Sequence, residues 1–99
     1  MSDQKQQMLN ALDDLGQTTK ILINALLSGN NAKSHEAITI LLQQGLSYFG
    51  AESVVMQQFF PVFDQIKRHV DGGDLSSALG QTRVFERQLN EIIELVRNG

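Results

Sequence analysis

The side chains best suited to move protons or hold a metal near neutral pH are two histidines, His35 and His69. They belong to no His-x-x-x-His spacing, and the chain has no cysteine. A metal site would therefore have to borrow Asp or Glu ligands from elsewhere in the fold. His35 falls in the first turn of the second helix proposed below, beside Glu36, and His69 falls near the end of the third. A protonated imidazole is mildly favoured at a helix C-terminus. Both are expected to be exposed helix-terminal side chains.

Two sets of carboxylates, Asp13 with Asp14 and Glu91 with Glu94, are the other candidates. An acid/base pair needs environments that push two pKa values apart. Asp13 and Asp14 instead fall between the apolar anchors Leu12 and Leu15, on the outer side of a helix. Glu86, Arg87, Glu91 and Glu94 make a mixed outer face, with Arg87 and Glu91 at helical pairing distance. A Gly-rich phosphate loop, a nucleophile elbow and a metalloprotease motif are all missing from the sequence. The expectation is a protein without catalytic, cofactor-binding or metal-binding residues, and so not an enzyme.

What positions these residues is a set of helices. Leu75, Ala78, Thr82, Phe85, Leu89, Ile92 and Val96 follow one another at steps of three and four, which puts them on one stripe of a helix. Leu79 and Ile93 widen that stripe beyond a coiled-coil seam, as suits a helix with several neighbours. Asp74, after Gly72 and Gly73, is placed to cap its first turn. Met8, Leu12, Leu15, Thr19, Leu22 and Leu26 repeat the rhythm in a first helix from about Asp3 to Leu27. Gly16 lies inside it on a flanking apolar column, where another helix could approach; a break there is the alternative.

Ser28-Gly29-Asn30-Asn31 reads as a loop, and a second helix follows from about Lys33 to Phe49, weakened near its end by Gly45. A third helix starts near Ala51 after the interruption at Gly50 and carries Val55, Phe59, Val62, Phe63, Ile66 and Val70. Pro61 falls within that pattern and removes the hydrogen bond to the Gln57 carbonyl. Because the apolar spacing keeps its phase across Pro61, a kink is favoured over a split. Four amphipathic segments with short connections predict an all-α antiparallel four-helix bundle, a single domain over residues 1–99.

The chain of 99 residues is 41% hydrophobic, which is ordinary for a globular domain. Its net charge of −3 is spread over both halves, so a nucleic-acid footprint is not expected. Residues 1–20 carry Asp3, Lys5, Asp13 and Asp14 without an apolar signal core, and no stretch is long enough to span a bilayer. The expected location is the cytoplasm, without membrane partners.

Function must then come from a surface. Phe59, Phe60 and Phe63 cannot all point one way on a helix; Phe59, Val62 and Phe63 share the core side and leave Phe60 opposite. Ile21 and Val84 are off-stripe in the same sense. Phe60, Ile21 and Val84, with Arg83 and Arg87 as a charged rim, are the expected contact residues for another protein or a second copy of the chain. The expected role is that of a small adaptor, regulator or chaperone that acts by binding.

The centre of the chain also resembles the histidine phosphotransfer (Hpt) domain, a four-helix bundle of similar length. The family shows Ala-His-x-Leu-Lys-Gly, followed by Leu-Gly-Ala or Phe-Gly-Ala. Here Thr39-Ile40-Leu41-Leu42-Gln43-Gln44 leads to Phe49-Gly50-Ala51, and Gly73-Asp74-Leu75 opens the last helix as in the family. Ile40 stands in the place of the phosphoacceptor histidine and Gln43 in that of the neighbouring lysine. The intervening segment is longer than the family's, and Pro61 is foreign to it. The resemblance implies a degenerate signalling domain that docks a receiver domain without carrying phosphate.

Overall fold

In the computed structural model, which describes residues 2–99, those residues fold into α1 (Ser2–Leu27), α2 (Asn31–Phe49), α3 (Val54–Asp71) and α4 (Leu75–Asn98). Each helix packs on its sequence neighbour and α4 closes back on α1, leaving α1 diagonal to α3 and α2 diagonal to α4. The result is the antiparallel four-helix bundle expected from the spacing, 44 Å long and 23 by 17 Å across.

Local chemistry sets the helix ends. Gly29 takes φ +71°, and the amides of Gly29 and Asn30 return to the carbonyls of Leu26 and Ala25, which closes α1. Asn30, Ser53 and Asp74 each accept from the backbone amide three residues on, at 3.0, 3.1 and 3.1 Å, and so start α2, α3 and α4. The Asp74 cap is as read from the sequence. The third helix starts later than expected, because Gly50 leaves helical geometry at φ +82° and Ser53 captures the Met56 amide. Through Gly16, α1 runs unbroken. Helix α3 runs unbroken through Pro61, so the chain is not split there. Gln57 and Pro61 both face solvent, where water can take the carbonyl that Pro61 leaves without a donor.

The core is built from the stripes. Leu12, Leu15 and Leu22 of α1, Ile38 and Leu41 of α2, Met56, Phe59, Phe63 and Ile66 of α3, and Phe85 and Leu89 of α4 are buried. Phe85 packs edge-on against both Phe59 and Phe63, with centroids 4.9 Å away in each case. Near the end of α4 it is Ile93, not Ile92, that is buried. Four buried polar side chains are also held. Thr19, Ser34 and Thr82 donate to the carbonyls four residues back, and Thr18 donates to Gln44 Oε1 at 2.7 Å.

Candidate functional site

Polar side chains at the ends of the bundle link one helix to the next. The second turn of α2 carries His35 to the C-terminus of α3, where its Nδ1 lies 3.0 Å from Asp71 Oδ1. His69 Nδ1 lies 3.8 Å from Asp74 Oδ2 across the α3–α4 turn. An imidazole beside a carboxylate is two-thirds of a catalytic relay. Among the described residues no hydroxyl lies at hydrogen-bonding distance from the His35 ring to complete it. Nor is there, among those residues, a group of three His, Asp or Glu placed to hold a metal ion. Hydrogen bonds from Ser77 hold the Asp74 carboxyl below its ordinary value, and the nearby His69 acts in the same direction. Each pair ties two segments together, so both histidines do more than decorate helix ends.

One surface carboxylate is also engaged. The Tyr48 hydroxyl donates to Asp14 Oδ2 at 2.7 Å, linking α2 to α1. That hydrogen bond raises the Tyr48 pKa, with burial and the Asp14 charge acting in the same direction. Asp14 is therefore a tether between helices, and only Asp13 is left as plain surface. The Arg87–Glu91 pairing suggested by their spacing is not among the ion pairs of the described residues; Glu94 pairs instead with Arg97, at 3.1 Å. With the arginine N-terminal to the glutamate, the order at Arg87–Glu91 is the weaker one for such a pair.

Phe60, Ile21 and Val84 are each about half exposed, as their off-stripe positions predict. They do not share one surface. Phe60 opens on the groove between α2 and α3, in a depression with Leu46, Ala51 and Pro61 at its sides and buried Met56 as its floor. Ile21 lies over the groove between α1 and α2, with Asn24, Ala25 and Lys33. Val84 sits on α4, and exposed Arg83 and Arg87 occupy the outward side of that helix. The expected single patch is thus divided over three flanks of the bundle.

Exposed Leu46 and Leu95 were not among the expected contact residues, although they belong to these surfaces. Leu95 follows Val84 at a spacing that spans three turns. Ile40 is exposed on α2, flanked by Gln43, Gln44, Ser47 and Tyr48. Among the described residues, no helix is long and apolar enough to cross a membrane. Compared with protein-family models, curated proteins and solved structures, the chain finds no match.

Proposed function

We propose that this protein is a small cytoplasmic binding protein, not an enzyme, and that it acts by taking an apolar side chain of another protein into the depression around Phe60. One observation carries this reading: Phe60 is 48% exposed although Phe59 and Phe63 on either side of it complete the core. Leu46 and Pro61 extend the apolar surface, and Met56 gives it a polarizable, adaptable floor. A helix presenting Leu or Phe from a partner suits such a groove, with desolvation of Phe60 supplying the affinity.

Phe60→Asp is expected to leave circular dichroism and thermal unfolding nearly unchanged while weakening partner capture by at least about tenfold, as for a central contact residue. Loss of the fold would place Phe60 in the core; unchanged capture would move binding to another face.

A second reading rests on Ile40. An exposed apolar residue at mid-helix, where the resembled family has its phosphoacceptor, suits docking of a receiver-type domain without phosphate transfer. Ile40→Asp separates the two, since it should abolish receiver binding and spare binding at the Phe60 depression.

A further inference from the structure

The core stripe of α4 leaves an outward stripe on the opposite side, and its charges run in a definite order. Arg83 and Arg87 come first, then Glu91 and Glu94, and all four are exposed; half-buried Glu86 and exposed Arg97, which pairs with Glu94 at 3.1 Å, lie toward the edge of the stripe away from Val84. Neither arginine has an ion-pair partner among the described residues. Along the edge of this stripe stand Val84 and Leu95, and Leu95, 73% exposed, adds nothing to the core. They are separated by eleven residues. At about 100° and 1.5 Å per residue they lie nearly on one line, about 16 Å apart. Gln88 and Glu91 fall between them, so the edge reads at steps of four, three and four. That is the spacing of a seam between two helices.

We infer that two copies of this chain pair through the outer faces of their α4 helices, antiparallel, about a two-fold axis near Leu89 and Asn90. Charge complementarity selects this occupant. A helix that fits must present acids opposite Arg83 and Arg87 and bases opposite Glu91 and Glu94; α4 itself does so when reversed. The midpoint of Val84 and Leu95 falls between residues 89 and 90, that of Arg87 and Glu91 at residue 89, and that of Arg83 and Glu94 between 88 and 89. A single axis therefore serves all three pairs to within about one residue, roughly 1.5 Å along the helix. Each contact is then made twice, as an isologous interface requires. Parallel pairing would set arginine on arginine.

Around the Phe60 depression the residues are apolar apart from Gln57, so no charge order there favours a second copy. The pairing does not rest on that depression. A contact along one helix face lies at the small end of interface sizes, and each chain carries −3, so the dimer is weak.

Sedimentation equilibrium of the full chain over a range of concentrations tests it, together with two charge reversals, Arg83→Glu/Arg87→Glu and Glu91→Arg/Glu94→Arg. Circular dichroism checks that both variants remain helical. The wild-type chain is expected to show a monomer–dimer equilibrium that weakens as salt rises. Each reversed variant should dimerise more than about tenfold less well, because like charges then face each other. An equimolar mixture of the two variants should recover the dimer as a heterodimer. A wild-type chain that stays monomeric would overturn the pairing and leave binding at Phe60 untouched. A dimer that survives both reversals, or reversed variants that fail to pair when mixed, would overturn it as well.

Discussion

Phe85→Ala is expected to destabilise the protein by about 3–5 kcal/mol, the range for truncating a buried aromatic. Phe85 has no exposed surface, and its ring meets Phe59 and Phe63 edge-on at 4.9 Å. Truncation removes its own transfer energy, leaves a cavity between α3 and α4, and strips each neighbouring ring of an aromatic contact worth about 0.5–1.5 kcal/mol. Domains of this size are stable by only about 5–15 kcal/mol in total. The urea midpoint should therefore fall sharply, and at about 4–8 °C per kcal/mol the melting temperature should drop by more than about 12 °C. Val84→Ala, on the adjacent but exposed position, should change stability by no more than about 0.5 kcal/mol. Equal effects at the two positions would refute the assignment of the α4 core face.

The contrast between Phe85 and Val84 was legible in the sequence because a helix repeats every 3.6 residues and a buried stripe must keep that phase. The same rule separated Phe60 from Phe59 and Phe63, and it carried α1 through Gly16 and α3 through Pro61. Periodicity describes one helix at a time, however. It gives the angle at which Phe60, Ile21 and Val84 leave their own helices, but not the order of those helices around the bundle. Only the packing of α1 on α2 and α4, with α3 diagonal to α1, shows that the three residues face different flanks.

The polar tethers were hidden for a related reason. Asp14 and Tyr48 are thirty-four residues apart, and His35 and Asp71 thirty-six, so neither pair leaves a mark at helical spacing. By contrast, Asp74 was legible because a cap acts over three residues on a single turn.

Glycine was the residue type most easily misread. Gly16 lies on an apolar column, which suggests a close helix approach, while Gly45 looks like a weak point in α2. Packing reverses the two. At Gly16 a methyl group would meet only Leu89 Cδ2, at 3.8 Å, an ordinary contact. Gly16→Ala should therefore raise stability by about 0.5–1 kcal/mol in urea unfolding, through helix propensity and a less flexible unfolded chain. At Gly45 the added carbon would sit 2.7 Å from Met56 Sδ and 3.2 Å from its Cε, with Phe63 Cε2 at 3.5 Å.

Met56 is flexible but only 1% exposed, and the core residues packed around it limit how far it can yield. Gly45→Leu, which adds three more carbons beyond that first one, should cost about 3 kcal/mol by overpacking, more than the roughly 1 kcal/mol it gains in propensity. Truncating Met56 in the same chain tests the cause. If α2 approaches α3 this closely because Gly45 has no side chain, Met56→Ala should cost less in the Gly45→Leu background than in the wild type. The interaction energy should lie within about 0.5–3 kcal/mol, as for residues in contact. Additive costs would mean that the leucine strains the fold elsewhere. A neutral Gly45→Leu would mean that α2 and α3 have room to spare, and Gly45 would then be the weak point its helix propensity suggests.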